Sequence, residues 1–147
     1  MTDRRDLAEM LQPLVQSLIA AERPVLAAHG ITMWGYAVLT ALDNNTVRTQ
    51  AALAEAIGAD KTRIISTLDR LQADGLISRD PDPRDRRARI LAITARGSDA
   101  CRSARAAIQA NEERLLARLP ADERLGFLRA VEALSRLTRE EIVGGPG

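Results

Sequence analysis

Only three aromatic side chains, Trp34, Tyr36 and Phe127, stand in a chain of 147 residues. With so few rings the core must be filled by Leu, Ala, Ile and Val. Such a core suits thin helices at close approach rather than a β-sandwich. Hydrophobic residues still make up 46% of the sequence, enough for one domain, or one domain with a dimerisation element. Cys101 is the single cysteine and His29 the single histidine. An internal disulfide and a cysteine-based zinc site are therefore excluded, and neither a metal nor a cofactor is expected. No apolar run reaches the roughly 18–20 residues of a membrane span, and Asp3, Arg4, Arg5 and Asp6 do not open a signal peptide. The expectation is a soluble, helix-rich, cytoplasmic protein with no membrane partner.

Apolar residues recur at helical spacing at Leu7, Leu11, Leu14, Leu18, Ala21 and Val25. Pro13 and Pro24 fall inside that stripe, so the pattern predicts a helix that starts late or bends. Gly30 ends it, with His29 in the last turn. Thr32 is placed to cap a second helix carrying Trp34, Ala37, Val38, Ala41 and Leu42, which Asn44 and Asn45 stop. Thr49 caps a short third helix with Leu53, Ala54 and Ile57 inward, ending at Gly58. Asp60 caps a fourth helix to about Ala73, with Ile64, Leu68 and Leu71 on one side. Thr62, Ser66 and Arg70 fall on the opposite side, with Arg63 beside them. Two short helices around a glycine turn, the second with a polar and basic face, make a helix-turn-helix pattern.

Leu76-Ile77-Ser78-Arg79 reads as a strand, Asp80 to Arg87 as a turn region by its Pro and Asp content, and Ala88 to Ile93 as the return strand. The whole chain carries a formal net charge of only +1. Four arginines and one aspartate between Arg84 and Arg89 nevertheless put +3 on the hairpin tip. A helix-turn-helix followed directly by such a hairpin is most economically a winged helix-turn-helix. Thr94 caps a fifth helix, Ala95 to Leu119, with Ala104, Ile108, Leu115 and Leu119 on its apolar side. Pro120 breaks it. A sixth helix runs from about Asp122 to Glu141, and the tail from Gly144 to Gly147 is expected to be loose. The outer helices hold more apolar surface than a small winged domain covers, which points to pairing with a second copy. The fold class is therefore mainly α with a small β-hairpin wing.

Three stretches resemble the MarR family of bacterial transcription regulators, over nearly the whole chain. The first is Gly30-Ile31-Thr32 with Tyr36 and Val38-Leu39. The second runs from Leu53-Ala54-Glu55-Ala56-Ile57-Gly58 into Asp60-Lys61-Thr62, then Leu68-Asp69-Arg70-Leu71 and Gly75-Leu76-Ile77. The third is Asp82-Pro83, Asp85-Arg86-Arg87, Ile93-Thr94 and Gly97, which matches the family's wing pattern except that Ile93 stands for Leu. The resemblance implies one domain over 1–147, with a winged core at 32–97, a wing at about 76–94, and dimerisation helices at 5–29 and 98–141. Midway along the recognition helix the family often has a polar residue followed by Arg. Ile65 and Ser66 stand there instead, so the operator sequence does not carry over.

The implied function is a homodimeric regulator of double-stranded DNA with a pseudo-palindromic operator. The expected control is repression, relieved by a small aromatic or phenolic ligand. Thr62, Arg63 and Ser66 are assigned to base edges, and Lys61 and Arg70 mostly to phosphates. Thr49 and Gln50, opening the third helix, are candidates to hold a phosphate on free backbone N–H groups. Asp85 is placed two residues before Arg87, where its carboxylate is expected to fix the guanidinium fork. By resemblance Arg87 enters the minor groove, while Arg84, Arg86 and Arg89 neutralise phosphates. Arg23, His29, Trp34 and Tyr36 are the candidates for the ligand, and Cys101 reads as a small buried apolar residue. Catalysis is not expected, since a triad would rest on His29 alone and no glycine-rich phosphate loop occurs. A helical protein-interaction module, and a DNA-binding protein without ligand control, are the alternatives.

Overall fold

A computed structural model describes residues 3–44 and 48–144. The elements run α1 (Leu7–Ala28), α2 (Met33–Asn44), β1 (Arg48–Thr49), α3 (Gln50–Ile57), α4 (Lys61–Ala73), β2 (Ile77–Asp82), β3 (Asp85–Ile93), α5 (Ala95–Leu116), α6 (Ala121–Ser135) and α7 (Arg139–Val143). They fall into two compact units, Met1–Ile108 and Gln109–Gly147. The expected mainly α fold with a β-hairpin wing is what forms. No single helix among the described residues is long and apolar enough to cross a membrane.

In the first unit the helix ends follow local chemistry. Thr32 Oγ1 accepts the Gly35 N–H at 3.0 Å, Thr49 Oγ1 that of Ala52 at 3.2 Å, and Asp60 Oδ1 that of Arg63 at 2.7 Å. Each satisfies a donor that the first turn of a helix leaves open. Gly58 closes α3 in the left-handed region at φ 69°, which a Cβ would strain. The core is built from Leu26, Val38, Leu39, Leu42, Leu53, Ile64, Leu68, Leu71, Leu91 and Cys101, among others, all buried. Every α4 residue expected inward, Ile64, Leu68 and Leu71, lies there.

Gly97 explains why the stretch from Thr94 to Gly97 has its spacing. Thr94 Oγ1 accepts the Gly97 N–H at 3.0 Å and donates to the Gly75 carbonyl at 2.7 Å. This draws the first turn of α5 onto the start of the wing. A Cβ on Gly97 would stand 2.0 Å from the Leu76 carbonyl oxygen, so only glycine fits that approach.

Several expectations are corrected. α1 does not start late: it runs unbroken from Leu7 through Pro13 and Pro24. Each proline costs one intrahelical bond, and a helix of 22 residues keeps enough of the others. The sheet has three strands in the order β1-β3-β2, because Arg48 and Thr49 pair with Leu91 and Ile90. The turn of the wing is shorter than Asp80 to Arg87, since β2 continues to Asp82 and β3 begins at Asp85. The ladder pairs Pro81 with Arg89 and then Asp82 with Asp85. Arg86, Arg87 and Ala88 are thereby left without partners on β2 and form a bulge. The fifth helix ends at Leu116 rather than Leu119. The Asn45 stop and the loose tail at Gly145, Pro146 and Gly147 lie outside the described residues.

In the second unit, Arg124 reaches back from α6 to the end of α5. Its Nε donates to the Leu116 carbonyl at 3.2 Å and its Nη2 to that of Leu119 at 3.4 Å. The Leu116 carbonyl, at the last residue of α5, also accepts the Leu119 N–H at 3.0 Å, so Arg124 secures the turn that follows the helix. The expected sixth helix to Glu141 is two helices, with α6 ending at Ser135. Thr138 Oγ1 accepts the Glu141 N–H at 3.1 Å and starts α7 afresh. No residue of α6 or α7 is buried.

Candidate nucleic-acid interface

Thr49, Gln50, Lys61, Asp85, Arg87 and Arg89 come together around one open groove of about 400 Å³ between the α3 N-terminus, α4 and β3. Sequence reasoning assigned all six to DNA. β1, which sequence reasoning missed, ties the N-terminus of α3 to β3 through its pairing and so brings Thr49 and Gln50 to the wing. Thr49 spends its side-chain oxygen on the Ala52 N–H, and the remaining first-turn N–H groups of α3 stay available to an anion.

Along α4, Lys61, Thr62, Arg63, Ser66 and Arg70 each keep side-chain surface toward solvent. The Ser66 hydroxyl donates to the Arg63 carbonyl at 3.2 Å, which leaves its lone pairs as its free valence. The Arg63 guanidinium does not extend freely into solvent, for its carbon lies 5.9 Å from the centroid of the Trp34 ring. Arg70 faces a different concavity from the groove, a cavity of about 20 Å³ beside Gly30, Ile31 and Thr32.

The wing carries Arg84, Arg86, Arg87 and Arg89 away from the core, as its charge pattern implies. The role expected of Asp85 is corrected. Its Oδ1 accepts the backbone N–H of Arg87 at 3.0 Å, not the guanidinium. Two residues of separation close an Asx-type turn, and that satisfies the N–H which the bulge withdraws from the ladder. Asp82 does the same for the Arg84 N–H at 2.9 Å. Both carboxylates thus shape the tip and leave the guanidinium groups outward.

Arg79 was not among the expected residues. From β2 its Nη2 donates to Asp69 at 2.5 Å and its Nε to Gln72 at 2.7 Å, both on α4. This clamp sets the wing against the recognition helix. Asp69 and Gln72 stand three apart on one helix face, but nothing in the sequence says which strand residue they meet.

The four candidates for a small ligand are less gathered. Trp34 and Tyr36 are half-buried on α2, Arg23 is exposed on α1, and the His29 Nδ1–H donates to the Val25 carbonyl at 2.9 Å. None of the four lines the cavity of about 20 Å³ next to the α1–α2 turn, which holds one water at most. Cys101 is fully buried, as expected, with Thr40 Oγ1 at 4.0 Å from its sulfur. Among the described residues no group of three or more His, Cys, Asp or Glu side chains is placed to hold a metal ion.

A short helix pair joined through a glycine turn, a polar second helix and an arginine-tipped hairpin define a winged helix-turn-helix DNA-binding protein. Known proteins agree. The MarR family profile matches residues 29–88. A Thauera aromatica protein named for transcriptional regulation of the hcr operon is 34% identical over 119 residues, which cover 81% of this chain and 70% of that one. The transcriptional regulator HosA of Escherichia coli O111:H- is 31% identical over 99 residues, 67% of this chain and 73% of its own. The chain belongs to the MarR family, whose members are transcriptional regulators and not enzymes.

Solved structures share the fold. Wild-type MarR from E. coli, in its apo form, superposes with a TM-score of 0.80 at 22% identity, covering 90% of this chain and 98% of that one. The transcriptional repressor CouR bound to a 23-mer DNA duplex gives 0.74 at 28% identity, with 89% and 93% covered. NadR in complex with 4-hydroxyphenylacetate gives 0.71 at 19% identity, with 94% and 98% covered.

Proposed function

We propose that this regulator is a homodimeric repressor that binds a pseudo-palindromic operator and is released by a small aromatic acid. The observation that carries the DNA reading is the groove in which Lys61, Arg87 and Arg89 face one another beside the exposed face of α4. In this reading α4 enters the major groove with Thr62, Arg63 and Ser66 at base edges. Lys61 and Arg70 take phosphates, as do the α3 N-terminus at Thr49 and Gln50 and the wing at Arg84, Arg86 and Arg89. Arg87 follows the minor groove. CouR, 28% identical and bound to a DNA duplex, supports this placement.

Pairing rests on uncovered apolar surface. Leu7, Leu11 and Val15 on α1 are 57%, 42% and 47% exposed. On α6, Leu125, Leu128, Val131 and Leu134 are 44–57% exposed. Stripes of this size are interaction surfaces rather than scattered leucines. The winged core at 32–97, with its wing at about 76–94, would then be carried by dimerisation helices at 5–29 and 98–141. The cytoplasm, where DNA is, is the proposed location.

The effector, an aromatic or phenolic acid, is assigned to Arg23, His29, Trp34 and Tyr36; NadR with its 4-hydroxyphenylacetate supports that class of ligand for the fold. One observation favours a second reading, control without an effector: the ring of Trp34 already carries Arg63. Selection of DNA from a random pool by the purified protein tests the main reading. The expected result is two half-sites about 10 bp apart, centre to centre. A pool that stays random, or a protein sedimenting as a 16.0 kDa monomer at micromolar concentration, overturns it.

A further inference from the structure

Ile65 is 45% exposed and is not part of the hydrophobic core of the described residues. The buried stripe of α4 is Ile64, Leu68 and Leu71, at 2%, 0% and 4% exposure. One residue on from Ile64, Ile65 points about 100° further round the helix and is turned away from that core. Helix propensity does not favour it either, because a β-branched residue on an exposed face is a poorer choice than Arg, Gln or Glu. At this place the resemblance leads one to expect a polar side chain.

Its surroundings are those of a surface for a polyanion. Ile65 lines the groove of about 400 Å³ together with Lys61, Arg87, Arg89, Thr49 and Gln50. Ile65 is the exposed large apolar side chain of this lining; three cations and the N-terminus of α3 stand beside it against one carboxylate, Asp85, whose Oδ1 is turned onto the Arg87 N–H. Charge complementarity selects a nucleic acid as the occupant, and the isoleucine selects what it presents. In the major groove of DNA the one apolar feature of the four bases is the C5 methyl of thymine.

We propose that Ile65 is a specificity-determining residue that packs on a thymine methyl in each half-site of the operator. The proposal rests on α4 being the major-groove helix, and it adds a base to what that helix reads. A stiff side chain suits the task, since a β-branched residue keeps one χ1 rotamer in a helix and loses little freedom on contact. Arg63 and Thr62 supply hydrogen bonds nearby, so the methyl contact refines a site that polar groups already anchor.

Replacing thymine by deoxyuridine removes the methyl and leaves every base-pair hydrogen bond in place, which makes the test specific. The operator is first selected from a random pool by the full-length protein, and each thymine is then replaced in turn at fixed salt. One thymine per half-site is expected to respond, with affinity falling about fourfold for one half-site and on the order of 15-fold for both. In Ile65→Ala the same replacement is expected to have no effect, in Ile65→Val to keep part of it, and in Arg63→Ala to keep all of it. Restoring the methyl as 5-methylcytosine at that position should bind better than cytosine. Equal melting temperatures for the parent and Ile65→Ala show that the fold is intact. A consensus in which no thymine responds to uracil, or a response that persists in Ile65→Ala, overturns the proposal. A pool that yields no consensus overturns the DNA-reading assignment of α4 and the proposal with it.

Discussion

The Arg63 guanidinium rests over the ring of Trp34, 5.9 Å from its centroid, and so links the recognition helix to the first turn of α2. A cation within about 6 Å of an indole centroid is attracted to the ring, by about 0.5–1 kcal/mol at an exposed site. That is enough to bias where a long, exposed side chain waits, and too little to keep it from a base. Trp34 is the chain's single tryptophan, so its fluorescence reports on Arg63 without interference. Operator DNA is expected to change Trp34 emission as Arg63 leaves the ring. The change should be absent in Arg63→Ala, and Trp34→Ala should tighten operator binding by about two- to fivefold per half-site, because the free protein then has no ring contact to give up. An unchanged emission spectrum on DNA binding would show that Arg63 stays on the indole and reads no base.

Arg79 clamps the wing to α4 through two acceptors at once, Asp69 and Gln72. The Arg79 side chain is 21% exposed and that of Asp69 58%, so solvent screens the ion pair. Its contribution to stability is expected to be under about 1 kcal/mol. The effect on DNA binding should be larger, because the angle between wing and recognition helix decides whether both reach one duplex. Arg79→Ala is expected to lower operator affinity while leaving the melting temperature within a few degrees. Arg79→Lys should not restore it, since an ammonium cannot serve two acceptors with the geometry of a guanidinium fork. Parent-like affinity in both variants, measured by gel shift, would remove the clamp from the mechanism.

Gly97→Ala tests the approach of α5 to the wing. Its new methyl would meet the Leu76 carbonyl at 2.0 Å, against backbone that has no flexible end to move aside. Overpacking of this kind costs about 1–3 kcal/mol. Denaturant unfolding should show a free energy of unfolding lower by that amount, and Gly126→Ala, where a Cβ meets nothing within 4 Å, should not.

What the sequence made legible divides by the range of the interactions involved. Thr32, Thr49, Asp60 and Thr94 cap the helices they were expected to cap, because each bond reaches only three residues along the chain. Leu68 and Leu71 follow from periodicity for the same reason. β1 was not legible, since two residues pair with Leu91 and Ile90 far along the chain. The Asp85 carboxylate was expected on the neighbouring guanidinium. It took the backbone N–H of Arg87 because the bulge had left that donor unpaired, and a bulge is a property of register, not of composition. The break between α6 and α7 was written in Thr138-x-x-Glu141, a capping-box spacing inside an otherwise continuous leucine pattern. Arg79 and Ile65 acquire meaning only from what stands across the fold from them.

Salt dependence distinguishes the wing from the recognition helix. Arg84, Arg86, Arg87 and Arg89 point away from the core, and neither Asp82 nor Asp85 takes a guanidinium, so these cations remain available to phosphates. If a dimer neutralises roughly 6–10 phosphates, affinity should fall on the order of 10³–10⁵-fold between 50 and 200 mM salt. Arg86→Ala is expected to reduce the salt slope by about two for the dimer, one per wing, and to weaken all sequences alike. Arg87→Ala should do so with the greatest loss on A·T-rich flanks, where a narrow minor groove concentrates negative potential. Equal losses across flanks would move Arg87 from the minor groove to the phosphates.

An aromatic acid that seats on Trp34 must displace the Arg63 guanidinium or share the ring with it. Displacement costs the acid about 0.5–1 kcal/mol and frees Arg63 for its base edge, so it does not by itself release operator. Sharing offers the carboxylate a cationic partner that Arg23, exposed on α1, and His29, with Nδ1 on the Val25 carbonyl, supply less directly. By sharing the ring the acid holds Arg63 on Trp34 and off its base, so control and DNA reading meet at one contact and no long path between sites is needed. A tenfold loss of operator affinity requires the acid to favour the non-binding state by about 1.4 kcal/mol, within reach of one buried ring. Titration of 4-hydroxyphenylacetate and related acids into the DNA complex is expected to release operator and to change Trp34 emission. Trp34→Ala should bind DNA and lose the response to the acids. Release by hydrogen peroxide and by none of the acids, abolished in Cys101→Ser, would instead place control at the buried sulfur of α5.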